Sequence, residues 1–545
     1  MTPPRYLEAA KKACKRRNDA IAAVYQPPEW DESKLPSNLT EYSLNSGYYT
    51  PAELQIIQTS ARDILANVAQ RKWTSLAVTQ AFCKAAALAQ KLTNCLTEVL
   101  FEEALERARG LDEHLELTGR TVGPLHGLPI SLKDCFIIAP YPASIGLAAL
   151  ANKPQSDDTV LVLMLRELGA VLYAKTNVPT SMLMTETTNC IWGECRNPLQ
   201  KRLSPGGSSG GEAALIAFHG SPLGVGTDLG GSIRTPAAWC HLYGLKPSVG
   251  RFPSWGGMSG IPGQEFVPAV SGPMARELDS LRLFCETILS PATAPWRKDP
   301  KCLPMPWKGN VLQQGTKLRF GLIGTHDGVV HCHPPVERAL GLVKTVLEAQ
   351  GHEIVDWPVD DHGEILRTLQ LGLSTLSGTT VADMLEEWDE PLLPSMSSFK
   401  ASPERKTVQV MAVGSNNLKK GELQKLYLDR MASIDCVIQA VSPFAAARLS
   451  ATQERFYVGY TAVWNLLDLP ACTFPVTTAD RDLDKARDLS DFQCLNELDA
   501  KVQAEYDPDI YHGAPVSLQI VGRRLEEEMV LDMVEVVAKA LEQQR

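Results

Sequence analysis

The chain of 545 residues predicts an α/β layered fold. Segments with period-two alternation and segments with helical periodicity take turns along it. The balance of 21% charged and 44% apolar residues is that of an ordinary globular protein. No internal repeat or low-complexity tract interrupts the pattern, so no strong domain boundary declares itself. Length is compatible with about three or four domains, and equally with one large α/β unit.

Residues 1–48 read as an N-terminal extension. A short helical stretch runs into Pro27-Pro28, and a polar segment rich in Ser, Asn and Pro follows, expected to wrap the body. Its basic residues Lys11, Lys12, Lys15, Arg16 and Arg17 alternate with alanines and read as a solvated helix face. Thr50-Pro51-Ala52-Glu53 combines an N-cap threonine, a proline at the first helical position and a glutamate three residues on, a capping box. The helix it opens has Ile57, Ala61, Ile64, Leu65 and Val68 on one face. A second helix is expected over Ser75–Lys91. Gly127–Asp134 then reads as a strand entering a loop, with Leu128, Ile130 and Leu132 on one face and Ser131 and Lys133 on the other. Further on, Leu318–Ile323 predicts a strand, Pro335–Gln350 a helix with Gly351 as its C-cap, and Glu353–Trp357 another strand.

Several function classes recede on composition. A net charge of -10 supplies no basic field for a phosphate backbone. Met1–Arg17 lacks the apolar core of a secretory signal, and no run of about 18 uncharged apolar residues occurs. Thirteen cysteines without a CxxC pair read as reduced core thiols, which makes the cytoplasm the expected compartment.

Chemistry concentrates in residues 204–236, SPGGSSGGEAALIAFHGSPLGVGTDLGGSIRTP. Glycines this dense let consecutive backbone N–H groups converge on one anion. A phosphate cradle is disfavoured, because no Gly-Lys-Ser/Thr ending follows Ser208 or Ser232, and Leu229 stands where a dinucleotide fingerprint wants its third glycine. A nucleophile elbow centred on Ser208 or Ser209 lacks the apolar strand that should precede it, since 197–202 reads NPLQKR. The third reading takes Ser232 as nucleophile, with the N–H groups of Leu229, Gly230, Gly231 and Ser232 as an oxyanion hole, each such donor typically contributing about 3 kcal/mol. A serine nucleophile needs a base. His126, His219, His241 and His512 lie near motifs, none in a recognisable triad context, which turns attention to Lys133 at the end of GPLHGLPISLKD, residues 123–134. A lysine becomes a base only when burial without a carboxylate partner lowers it from about 10.4 toward 7 or 8. By itself a strand lysine more often lies at the surface.

Taken together, these segments resemble the amidase signature family, and from about residue 50 onward its fungal acetamidase type. The resemblance rests on GPLHGLPISLKD (123–134), KTNVPTSM (175–182), SPGGSSGGE (204–212), GVGTDLGGSIRTPAAWC (224–240), GLKPS (244–248) and YHGAPVSLQIVGRR (511–524). The separations of 75 residues from Lys133 to Ser208 and 24 from Ser208 to Ser232 agree with it. It implies a single large α/β/α layered domain over residues 49–545, with a central mixed β-sheet covered by helices. It also implies a Ser-Ser-Lys triad: Ser232 attacks the amide carbonyl, Ser208 relays protons, Lys133 is the ultimate base and acid, and water hydrolyses the acyl-enzyme. The Gly207-Ser208 peptide is expected cis and Ser209 to support the network, while Asp228 and Arg234 read as structural. A small-molecule amide is the expected substrate, with no cofactor, nucleic acid or membrane partner and a homodimer allowed.

Weaker signals remain. Met182 and Met184, after KTNVPTS, could line an acyl pocket or simply pack in the core. His331-Cys332-His333 with His326 could suggest a metal, but no second cluster completes four ligands. Asn465–Val476 reads as a late core strand with its lead-in loop, and Gln519 likewise as structural. Cys135–Gly146 and the stretch 360–450 carry few family motifs and leave the substrate open. An amidotransferase subunit, a serine esterase, a histidine-based hydrolase and a non-catalytic relative are the competing readings.

Overall fold

The computed structural model describes residues 3–374, 379–394, 396, 410–449 and 456–544. Part of the 360–450 stretch thus lies outside the described residues. Among the described residues eleven strands form one mixed sheet: β1 (Leu96–Val99), β2 (Pro129–Lys133), β3 (Val171–Thr176), β4 (Gly224–Asp228), β5 (Tyr243–Lys246), β6 (Val270–Ala275), β7 (Arg319–Leu322), β8 (Glu353–Asp356), β9 (Cys436–Ala440), β10 (Ala471–Thr478) and β11 (Pro515–Val521). Their order is β1-β3-β2-β4-β6-β5-β10-β11-β9-β7-β8. β2 runs parallel to β3 and β4, β7 parallel to β8 and β9, and antiparallel pairs join the rest. This is the α/β architecture expected, with helices around one sheet.

The expected alternation in β2 needs a refinement. All five of its residues are buried, because helices close the sheet and Lys133 faces protein, where a half-exposed strand would face water. The helix Gly210–Ala217 that covers Ser131 and Lys133 is itself buried at every position, which its sequence GGEAALIA permits.

Side-chain caps set the starts of the first helices of the body. The Thr50 capping box is formed, with Pro51 at the first helical position, and the second helix spans Ser75–Thr93. One continuous helix from Pro51 was expected, whereas two occur, Pro51–Gln58 and Ala61–Ala69. Ser60 starts the second by accepting from the Asp63 amide at 3.2 Å, so a new N-cap interrupts the apolar stripe. The helix Pro334–Ala349 ends on Gln350, and Gly351 follows at φ 78°, within a residue of expectation.

The extension differs most from its reading. Its first helix runs over 20 residues, Arg5–Val24, and packs on β1, an edge strand. Lys11, Lys12 and Lys15 are exposed as expected, but Arg16 and Arg17 are not part of a solvated face. Arg17 is buried and its Nη1 donates to the Leu96 carbonyl at 2.9 Å, while Arg16 Nε donates to Glu98 Oε2 at 3.0 Å. The helix thereby covers a strand edge that would otherwise offer unpaired backbone groups.

Candidate active site

β2 ends at Lys133, and its ammonium is fully buried. Lys133 Nζ donates to Ser208 Oγ at 2.7 Å and to Thr227 Oγ1 at 2.8 Å, with the Thr227 carbonyl at 3.4 Å. Burial lowers it from 10.5 to about 8, against the opposing pull of Cys135, Asp228 and Glu212. No ion pair to it is formed among the described residues, and hydroxyl partners leave the desolvation cost largely uncompensated.

Ser208 follows a cis Gly207-Ser208 peptide and is buried. Gly207 is required there by close approach: a Cβ would lie 2.7 Å from the Met184 carbonyl oxygen and 3.0 Å from Thr185 C. Ser209 donates its backbone N–H to the Ser232 carbonyl at 3.1 Å, and its hydroxyl lies 3.4 Å from both the amide nitrogen and the carbonyl oxygen of Thr227. Ser232 is half-buried, the most open of the three expected residues. Lys133 and Ser208 are thus joined directly, whereas no hydrogen bond closes from Ser208 Oγ to Ser232 Oγ among the described residues.

The loop presenting Ser232 is latched by a buried ion pair. Arg234 Nε and Nη2 donate to Asp228 Oδ2 and Oδ1 at 3.0 and 3.1 Å, both side chains being fully buried. Burial alone would raise the Asp228 carboxyl; the Arg234 guanidinium outweighs it and holds the group well below the usual carboxylate range. Asn465 Nδ2 donates to Asp228 Oδ1 at 2.9 Å, Arg234 Nη1 donates to Gln519 Oε1 at 3.1 Å, and Gln519 reaches the Tyr460 carbonyl. Asp228 also accepts from the amides of Gly231 at 2.8 Å and Ile233 at 3.1 Å. Of the four amides expected in an oxyanion hole, that of Gly231 is therefore engaged inward. Those of Leu229, Gly230 and Ser232 donate to no other group among the described residues.

Met184 is buried in the main core with its carbonyl beside Gly207, and half-buried Met182 packs against that core. His331 Nδ1 pairs with Asp499 Oδ2 at 2.6 Å, and His333 Nε2 meets the Val502 carbonyl at 2.9 Å. Among the described residues no group of three or more His, Cys, Asp or Glu could hold a metal ion. His126 Nδ1 accepts from the Val122 amide at 3.0 Å and His512 Nδ1 from the Arg481 amide at 3.3 Å, local backbone roles. All thirteen cysteines are free. No helix among the described residues is long and apolar enough to cross a membrane.

Sequence reasoning missed Thr227, Glu212, and the pair of Asp134 with Lys175, whose Nζ lies 3.3 Å from Asp134 Oδ1. Asp134 also accepts from Thr97 Oγ1, Ser144 Oγ and the Ile145 amide, anchoring the chain just beyond Lys133. Their only signal was position inside the glycine-rich and lysine segments; the partners come from other strands.

The family model described as Amidase matches residues 77–531. An acetamidase of Emericella nidulans is 40% identical over 533 residues, covering 94% of this chain and 95% of that protein. An acetamidase of Aspergillus oryzae is 38% identical over 531 residues, covering 94% and 96%. The solved structure of a fatty acid amide hydrolase superposes with a TM-score of 0.93 at 31% identity, covering 98% of this chain and 95% of that one. The chain belongs to the amidase signature family and is an amidase, a hydrolase of carbon–nitrogen amide bonds.

Proposed function

We propose that the protein cleaves a carboxamide to a carboxylic acid and ammonia or an amine through an ester formed on Ser232. The observation that carries this reading is the 2.7 Å hydrogen bond between Lys133 Nζ and Ser208 Oγ in a fully buried setting. A lysine lowered to about 8 is uncharged in an appreciable fraction of molecules near neutrality and can accept a proton. Ser232 Oγ attacks the carbonyl carbon, its proton passes to Ser208 Oγ, and the Ser208 proton passes to Lys133 Nζ. The oxyanion is received by the amides of Leu229, Gly230 and Ser232, each contributing about 3 kcal/mol. The amide of Gly231 serves instead to hold the loop on Asp228. As the C–N bond breaks, the same path returns the proton to the leaving nitrogen, and water then hydrolyses the ester by the reverse transfers. Ser209 supports the arrangement through the Ser232 carbonyl.

Similarity to acetamidases and to a fatty acid amide hydrolase supports small or medium acyl amides as substrates, with esters as a side activity. Thirteen free thiols support action in the reducing cytoplasm. A fluorophosphonate should label Ser232 alone, and Lys133→Ala should lose turnover. An adduct mapped elsewhere, or full turnover in Lys133→Ala, overturns the reading.

A further inference from the structure

Glu212 is a fully buried carboxyl whose hydrogen-bond partners are hydroxyls. Ser131 of β2 donates to Oε1, and Thr176 Oγ1 of β3 donates to Oε2 at 2.7 Å. Ser131 Oγ also lies 2.9 Å from Ser221 Oγ, which donates to the Leu223 carbonyl at 2.9 Å. A Cβ at Gly224 of β4 would fall 1.8 Å from Glu212 Oε1, so glycine at that point admits the carboxyl where three strands meet. An acid early in a helix is ordinarily stabilised by the helix dipole. That does not account for burying it among hydroxyls, which compensate an ionised carboxylate poorly.

Placement supplies the account. Ser131 precedes Lys133 by two residues on the same strand face, and Glu212 follows Ser208 by four residues, at the start of the helix Gly210–Ala217. The Ser131–Glu212 contact and the Lys133–Ser208 contact therefore close one ring, and each constrains the other. We infer that Glu212 is a positioning residue for amide hydrolysis, tying the strand that carries Lys133 to the helix that follows Ser208 and setting by its charge how readily Lys133 yields a proton. This rests on Lys133 acting as the base, as proposed above.

The charged and titratable groups facing Lys133 are Cys135, Asp228 and Glu212. Those facing Glu212 are Lys133, Cys95 and Tyr173. Burial keeps the thiols and the phenol protonated, and Asp228 is matched by Arg234. Glu212 is thus the acid in this set whose charge is free to vary. Burial raises it to about 7, against the Ser131 and Thr176 hydroxyls and Lys133. While it keeps its proton, the lysine is left uncharged more readily; once ionised, it favours the ammonium.

The test is the pH profile of kcat and of kcat/KM on an acyl p-nitroanilide for the wild type, Glu212→Gln, Glu212→Ala and Thr176→Val, with Lys133→Ala as control. Glu212→Gln should recover most of the plateau kcat that Glu212→Ala loses, and should move the acid limb to lower pH by roughly one unit. Thr176→Val removes one donor to the carboxylate, keeps it protonated to higher pH, and should move the limb the same way by less. An acid limb unmoved in both, or a glutamine variant no better than alanine, overturns the inference. If the glutamine protein does not fold, the limb in Thr176→Val decides alone. Full turnover in Lys133→Ala would instead remove the base on which the inference rests, so the two failures are distinguishable.

Discussion

Replacing Lys133 by methionine should abolish turnover and yet change stability in a direction that depends on pH. Burial holds the Lys133 ammonium at about 8 in the folded protein, whereas the unfolded chain keeps it at its ordinary 10.5. Below pH 8 both states carry the proton, and the folded state bears the full penalty of a buried ammonium. The interval from 10.5 to about 8, at about 1.4 kcal/mol per pH unit, makes that penalty about 3 kcal/mol. Between 8 and 10.5 the unfolded chain binds the proton and the folded one does not, so this group's contribution to stability rises with pH until the penalty is gone. Methionine fills similar space without charge but forfeits hydrogen bonds to Ser208 Oγ and Thr227 Oγ1, about 1 kcal/mol each. The variant should therefore be roughly 1 kcal/mol more stable than wild type at pH 7 and about 2 kcal/mol less stable at pH 10.5. Urea unfolding of both proteins at the two pH values reads this directly, because the titrating groups remote from Lys133 are common to both. A stability difference that is the same at both pH values would refute the reasoning.

Gly207→Ala should leave far-UV circular dichroism intact and lower kcat/KM by about 100-fold, because the atoms a Cβ would strike are backbone, and relieving them moves Ser208. Retention of more than a tenth of the activity would contradict this. Arg16→Ala should cost about 3 kcal/mol at pH 7.5 by leaving the buried Glu98 carboxylate without its hydrogen-bonded cation. Burial already raises Glu98, and in the variant protonation relieves the unpaired charge, so the deficit in thermal unfolding should shrink toward pH 5. Equal deficits at both pH values would exclude that cause.

What could be read from the residues was local. The Thr50 capping box and the strand and helix around 318–357 depend on groups a few positions apart, and they stand within a residue or two of expectation. The break at Ser60 was equally local, since Ser60 and Asp63 form their own N-terminal signal, but the apolar stripe running through it masked that signal. Arg16 and Arg17 were not legible: a basic stretch alternating with alanine looks the same whether it faces water or docks on a strand edge. The difference lies in Glu98 and Leu96, some eighty residues away. Thr227 and Glu212 escaped notice for the same reason, since their partners are set by the parallel pairing of β2 with β3 and β4.

By itself the sequence determined the inventory of chemistry and its family. A lysine closing an apolar strand and two serines in a glycine-dense block are carried by residue identity and spacing alone. Only the tertiary structure decided that the amine at 133 is out of water, that Ser208 lies within hydrogen-bonding reach of it, and that the Gly231 amide is turned toward Asp228. Protonation and reach follow from desolvation and from contacts spanning 75 and 94 residues, which no local pattern encodes.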